Sequence, residues 1–277
     1  MTQKINWPQI LTQCKNAIQE QIKLLPETIS QPKKSYGIGA GGDETKQVDL
    51  IAENAIIATL QHHNISFTLI SEEIGIKKYG ETPNKHFVTA DPIDGSTNFC
   101  RGIPFYATSI AISTKPTLNT IHAALVADLV HGITYTAQKG KGAYRNNKKI
   151  SPSKETSLEE AVIGIELHRE EAKKVISKLA SLIQQTKHLR HIGANALELC
   201  YVADGTTDAF IDIRGRFRTT DIAAAWLILN ESNSIITTPE GKPLNTKLDP
   251  KEKVSFIASA NPNIHTKILN LIKKESK

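Results

Sequence analysis

The sequence predicts an α/β protein whose N-terminal half is α+β and whose C-terminal half is α/β. Two helix-period apolar patterns come first. A succession of short β-rich segments broken only by turns follows, and it reads as an antiparallel sheet. From about residue 155 strand and helix patterns alternate to the end of the chain, as they do in α/β domains. The change of rhythm divides the 277 residues into an N-terminal α+β domain over 1–155 and a C-terminal α/β domain over 156–277. Each is large enough for a core, and the junction between them is the natural place for a ligand.

The first helix is expected over residues 8–25, where Ile10, Leu11, Cys14, Ala17, Ile18 and Ile22 fall near helical spacing and Pro26 ends the pattern. The glycine-rich stretch from Ser35 to Asp43 reads equally as a linker or as a lid over a ligand site. A second helix runs from about Thr45 to His62, with Val48, Ile51, Ala52, Ala55 and Ile56 on one face. Asp49 stands in its first turn, where the helix dipole favours a negative charge. Ile65 to Ile70 is a strand that delivers Ser71-Glu72-Glu73 at its end, and His86 to Ala90 is a strand that delivers Asp91-Pro92-Ile93-Asp94-Gly95-Ser96-Thr97.

This last stretch carries the most chemistry. Pro92 restricts itself and Asp91 while the chain turns, so the two carboxylates of Asp91 and Asp94 can converge on one point. With the Ile93 carbonyl they form an oxygen-only set that suits magnesium. Backbone N–H groups at Gly95 and Ser96, at the start of a helix, suit a phosphate, and the Ser96 and Thr97 hydroxyls can position a water. Taken alone, the same residues are an ordinary turn followed by a helix cap. Further acidic residues on other strand and helix ends favour the site.

Strands are expected at 106–113, 121–128 and 133–137, with turns at Lys139-Gly140-Lys141-Gly142 and Asn146-Asn147. Then come strand 161–166, helix 170–185, strand 189–192, helix 195–203, strand 208–214, helix 221–231, strand 253–260 and a helix from Pro262 with Asn261 as its cap. The helix opened by Asp221 has Ile222, Ala225, Trp226 and Leu229 as its apolar face. Just before it, Asp212-Ile213-Arg214-Gly215-Arg216-Phe217-Arg218 places three guanidinium groups near Asp221. Arginine holds phosphate by paired hydrogen bonds, so this segment marks a substrate with a second phosphate; a solvated loop is the plainer reading.

Composition narrows the partners. Hydrophobic residues at 39% and charged residues at 22% describe an ordinary globular chain, and no run approaches the ~20 apolar residues of a membrane span. The N-terminal residues lack the apolar core of a signal peptide, so a cytoplasmic location is expected. Cys14, Cys100 and Cys200 are too few and too scattered for a disulfide framework or a zinc cluster. The net charge of +6 permits an anionic partner, but dispersed lysines and 5% aromatics do not make a nucleic-acid surface.

The Asp91 to Phe99 stretch resembles the D-P-I/L-D-G/S-S/T signature of the inositol monophosphatase family of magnesium-dependent, lithium-sensitive phosphatases. Ser71-Glu72-Glu73, the T-K-x-x-D segment ending at Asp49, Gly140-Lys141-Gly142-Ala143-Tyr144-Arg145-Asn146 and Thr220-Asp221-Ile222-Ala223-Ala224 occur in the family's order. The resemblance implies a five-layer αβαβα sandwich, usually a homodimer. It implies two or three magnesium ions, replaceable by manganese: Glu72, Asp91 and the Ile93 carbonyl for the first, Asp91, Asp94 and Asp221 for the second, and Asp49 for a weaker position. Two ions clamp an in-line phosphoryl transfer to water. The family assigns Glu72 and Ser96 to the attacking water and Gly95 and Ser96 to the phosphate, with Glu73 outside the ligand set. Thr220 stands where the family has Trp. The R-G-x-x-R-x-x-D pattern from Arg214 to Asp221 is similar to that of archaeal-type members acting on both fructose-1,6-bisphosphate and inositol monophosphate. Activity on inositol monophosphate alone, or on a phosphoadenosine phosphate, is the alternative. An inactive binding module of this fold would be expected to lack a metal ligand, and none is missing.

Overall fold

A computed structural model of the chain describes residues 5–25, 37–42 and 44–275. In order, the elements are α1 (Trp7–Lys23), α2 (Gln47–His62), β1 (Phe67–Ser71), β2 (Gly75–Tyr79), β3 (Phe87–Asp94), α3 (Ser96–Arg101), β4 (Ala107–Ser113), β5 (Ile121–Asp128), β6 (Thr134–Gln138), β7 (Ala143–Arg145), β8 (Lys148–Lys149), β9 (Val162–Ile165), α4 (Ala172–Gln185), β10 (His188–Arg190), α5 (Asn195–Asp204), β11 (Ala209–Arg218), α6 (Thr219–Ser232), β12 (Ile235–Thr237), β13 (Lys253–Ser259) and α7 (Pro262–Glu275).

Strands β1 to β8 form one sheet in the order β2-β1-β3-β4-β5-β6-β7-β8, and β9 to β13 form a second in the order β10-β9-β11-β13-β12. Helices α1 and α2 bury Trp7, Leu11, Cys14, Ile18, Ile56 and Leu60 against one face of the first sheet. Its other face packs on α5 and α6, which also contact Phe210, Phe217 and Phe256 of the second sheet. The far side of the second sheet is covered by α4 and α7, through Val175, Leu179, Leu182, Ile264 and Ile268. The layers are therefore helix, sheet, helix, sheet, helix.

Several elements differ from their sequence patterns for identifiable reasons. The first helix ends at Lys23, with Leu24 as C-cap, and the expected stop at Pro26 lies outside the described residues. The sheet is not wholly antiparallel, because β1 pairs with β3 in parallel. Strand β2 went unread because Ile76, Lys77 and Lys78 are exposed on a charged edge, the usual protection of an edge strand. Asn146 and Asn147 both take positive φ, 48° and 64°, and so form the two-residue turn between β7 and β8. Helix α6 has no single apolar face: Thr219 to Ala225 are all buried, and Trp226 is among its less buried residues. A helix between two sheets is enclosed on both sides, so its pattern loses the helical period.

One buried charge in α2 supports the turn that carries Glu72. Glu53, 1% exposed, hydrogen-bonds the Ser71 side chain and the Ile74 backbone, and burial, reinforced by Glu73, pushes its carboxyl up to about 7. A carboxyl raised on folding contributes stability that is present below its ordinary pKa and is lost as pH rises through the folded value. Glu53→Gln should therefore match the parent's thermal stability near pH 5 and exceed it by up to about 3 kcal/mol near pH 9. Equal pH profiles for the two proteins would contradict this account of Glu53.

Candidate active site

The parallel pairing of β1 and β3 sets the site. Ser71 lies opposite Ala90 in register, so the residues that follow, Glu72 and Asp91, stand side by side at the end of that pairing. Strand β3 continues to Asp94, with its pairing to β4 irregular between Asp91 and Asp94. Pro92, which has no N–H to give a ladder, sits in that irregularity. From the other side α6 brings Asp221 in its first turn. Carboxylate oxygens of Glu72, Asp91 and Asp221 lie within 4.8 Å of one another, and all three residues are buried.

Like charges held this close resist ionisation. Burial, then Glu72, Asp221 and Asp94, hold the Asp91 carboxyl well above the usual range. Burial likewise raises Glu72, opposed by the Arg218 guanidinium and reinforced by Asp221 and Glu73. Arg218 Nη2 stands 2.6 Å from Glu72 Oε2, and Arg218 Nε donates to Asp221 Oδ2 at 3.3 Å. Asp91 Oδ1 is buried with no hydrogen-bond partner among the described residues. Thr220, at the position where Trp was expected, is buried and donates its hydroxyl to Asp221 Oδ1 at 2.8 Å.

Asp94 is outside that group of three and is engaged in a second task. Its Oδ1 accepts from the Asn195 N–H at 2.9 Å, and its Oδ2 accepts from Ala196 at 2.7 Å and Leu197 at 3.4 Å. These are the first N–H groups of α5, which need an acceptor. Burial and then Asp221 push the Asp94 carboxyl up to about 7, against the pull of these amides. Beside it, Asn98 Nδ2 donates to the carbonyls of Phe105 and Ile192 at 2.8 and 2.9 Å. Gly95 has φ +85°, and a Cβ there would lie 3.0 Å from the Gly193 carbonyl oxygen, so no larger residue fits between β3 and the start of α5.

The N-terminal turn of α3 faces Lys46, whose Nζ donates to Ser96 Oγ at 2.8 Å and Thr97 Oγ1 at 3.0 Å. Lys46 N–H donates to Asp49 Oδ2 at 3.0 Å. Asp49 is buried, and burial, then Glu73, pushes its carboxyl up to about 7. Glu73 accepts from Thr45 Oγ1. Of the glycine-rich stretch, Ser35, Tyr36 and Asp43 lie outside the described residues. Residues 37–42 are bonded onto the Glu72 turn: Ala40 N–H donates to the Glu73 carbonyl at 3.0 Å and Gly41 N–H to the Glu72 carbonyl at 2.7 Å. A Cβ on Gly41 would lie 3.0 Å from Arg218 Nη1 and 3.2 Å from Glu72 Cβ.

The three arginines separate. They lie in β11, which continues to Arg218 through a bulge between Asp212 and Phe217. Asp212 is fully buried and is bound to Arg214 through the backbone N–H at 2.9 Å and through the guanidinium. Arg214 also pairs with Glu166 at 3.2 Å, and Arg216 pairs with Glu170 and Glu171. Only Arg218 of the three reaches the carboxylates. Lys46 and Asn98 lie inside motifs that the sequence shows, but what they bind, like what Glu53 binds, includes groups far away in the chain that no local pattern marks.

A protein-family model described as the inositol monophosphatase family matches residues 8–277. A fructose-1,6-bisphosphatase/inositol-1-monophosphatase of Methanothermobacter thermautotrophicus is 36% identical over 244 residues, covering 85% of each chain. A bifunctional NADP phosphatase/NAD kinase of Methanococcus maripaludis is 35% identical over 84% of this chain and 44% of that longer protein. A solved inositol monophosphatase–fructose 1,6-bisphosphatase superposes with a TM-score of 0.83 at 30% identity, over 96% of this chain and 100% of that one.

Two substitutions separate the tasks of the β3 carboxylates. Asp91→Asn removes a repelled charge that accepts no hydrogen bond through Oδ1, so activity should fall by orders of magnitude with the melting temperature unchanged or higher in a chelator. Asp94→Asn loses acceptors for the α5 amides and should cost about 1–3 kcal/mol of stability as well as activity. Equal melting temperatures for the two variants would contradict the division. Gly41→Ala should lower kcat/KM about tenfold by displacing Arg218 and Glu72, with little change in melting temperature; normal turnover would show that residues 37–42 only connect their neighbours.

Proposed function

This chain belongs to the inositol monophosphatase family, which makes it a metal-dependent phosphatase, and we propose that it is a magnesium-dependent hydrolase of small sugar and cyclitol phosphates with fructose-1,6-bisphosphate and inositol monophosphate as substrates. One observation carries this reading: Glu72, Asp91 and Asp221 converge within 4.8 Å. The donor set fits the ion. It consists of hard oxygens, Asp91 Oδ1 is buried without a hydrogen bond among the described residues, and mutual repulsion favours a divalent cation over protons.

In this reading Glu72, Asp91 and the Ile93 carbonyl hold one magnesium ion, and Asp91, Asp94 and Asp221 hold a second. Asp49 supports a weaker third position, and manganese substitutes. Bound there, the ions neutralise phosphoryl oxygens and acidify water. The chain does the rest. Gly95, Ser96 and Thr97 hold the phosphate through N–H and O–H donors, and Ser96 and Glu72 orient the attacking water for an in-line approach. Asp94 can serve both α5 and a metal, because each carboxylate oxygen has two lone pairs. The family resemblance is also what supports a homodimer working in the cytoplasm.

Arg218 is assigned to a second phosphate because, of the three arginines, it reaches the acidic cluster, where it pairs with Glu72 and Asp221, whereas Arg214 and Arg216 pair with Asp212, Glu166, Glu170 and Glu171. A hydrogen bond to a charged group contributes ~1.5–3 kcal/mol. Arg218→Ala should therefore cost roughly 10- to 100-fold in kcat/KM on fructose-1,6-bisphosphate and much less on inositol monophosphate. Phosphate release should be measured on both substrates and on NADP and a phosphoadenosine phosphate, with magnesium, then with a chelator, then with manganese. Activity that survives chelation would overturn the metal assignment. Equal losses on both substrates in Arg218→Ala would overturn the second-phosphate assignment.

A further inference from the structure

We propose that Lys46 is a positioning residue of the hydrolysis, which sets the Ser96 and Thr97 hydroxyls as donors to the phosphoryl group and adds its own charge beside them. An ammonium group carries three N–H donors and no acceptor. In both contacts, 2.8 Å to Ser96 Oγ and 3.0 Å to Thr97 Oγ1, the hydroxyl oxygens must therefore accept. Neither hydroxyl proton is directed at Lys46, and each is left to donate elsewhere. An anion seated at the start of α3 would meet two O–H donors polarised by a cation, together with the third N–H of the ammonium. Adjacent residues on a helix diverge by about 100° around its axis, yet the oxygens of Ser96 and Thr97 share one nitrogen, so the two hydroxyls are tied to a single cation.

The position of the ammonium is itself fixed. Lys46 ends the segment before α2, its N–H is held by Asp49 Oδ2 at 3.0 Å, and the neighbouring Thr45 is bound to Glu73. The side chain is only partly buried, so a ligand can reach it. Lysine acts on phosphate as a compact point charge. The role also gives one cation to a region where Glu72, Asp91, Asp94 and Asp221 supply negative charge that would otherwise repel a phosphate dianion.

The inference rests on the reading above that the phosphate sits at Gly95 to Thr97, and the test separates the two. Inhibition by inorganic phosphate, the reaction product, should be measured at saturating magnesium for Lys46→Met, Lys46→Arg, Ser96→Ala and Thr97→Ala, alongside kcat, KM and melting temperature. Lys46→Met keeps the apolar stem and removes the charge, and it should weaken phosphate inhibition about 10- to 100-fold. Lys46→Arg should recover part of that loss. Adding Thr97→Ala to Lys46→Met should cost little beyond the single change, because the two act as one unit. Should Lys46→Met fold poorly, protection of Lys46 from an amine-modifying reagent by inorganic phosphate and magnesium gives the same information on the parent protein. Loss of melting temperature with normal phosphate inhibition would make Lys46 a tie between α2 and α3 and overturn the proposal. Normal phosphate inhibition in Ser96→Ala and Thr97→Ala as well would overturn the placing of the phosphate itself.

Discussion

Three carboxylates packed within 4.8 Å repel one another, and much of the structure around them is the answer to that repulsion. Two unit charges 4 Å apart interact by about 4 kcal/mol at an effective dielectric near 20, so the group persists only where positive potential surrounds it. Arg218 lies against Glu72 and Asp221, Lys46 stands over the start of α3, and α5 and α6 both begin at this edge. The N-terminal ends of two central helices thus point their dipoles at one cluster of acids. A bound cation would complete a balance that side chains satisfy only in part, since Asp91 Oδ1 is buried without a hydrogen bond among the described residues.

This electrostatic demand explains how the two sheets are joined. Glu72, Asp91 and Asp94 come from the first sheet and Asp221 from the helix that follows β11 of the second, so the site exists only when the halves are assembled. The junction is specific as well as apolar. Asp94 holds the first turn of α5, Asn98 holds the Ile192 carbonyl, and a Cβ on Gly95 would lie 3.0 Å from the Gly193 carbonyl oxygen. One core runs through α5 and α6 and touches both sheets.

Features carried by short, local patterns were legible in the sequence. Asp91 to Thr97, Ser71 to Glu73 and Asp221 each lie at the end of a segment whose period identifies it, and the structure places Glu72, Asp91 and Asp221 together. The parallel pairing of β1 and β3 follows from no local pattern, because register depends on what covers each face. The bulge that takes β11 past Asp212 was hidden by Arg214, Arg216 and Arg218, whose charges resemble a loop until Glu166, Glu170 and Glu171 are seen opposite them. Lys46 is visible in the T-K-x-x-D segment, but its contacts were hidden by distance: its partners lie 50 and 51 residues further along the chain. In α6 burial on all sides leaves no apolar stripe, so the face expected at Ile222, Ala225, Trp226 and Leu229 is not set apart.

That helix has a further consequence. Ala223, Ala224 and Ala225 are fully buried in the layer between the two sheets, where side chains larger than a methyl group would have to push neighbouring atoms apart. The alanines therefore act as a gauge for a distance they do not themselves touch, that from Asp221 to the carboxylates on β3. A larger side chain there would move Asp221 relative to Glu72 and Asp91 without altering any of the three, so the tolerance of this chain to change is governed at these positions by side-chain volume rather than by chemistry.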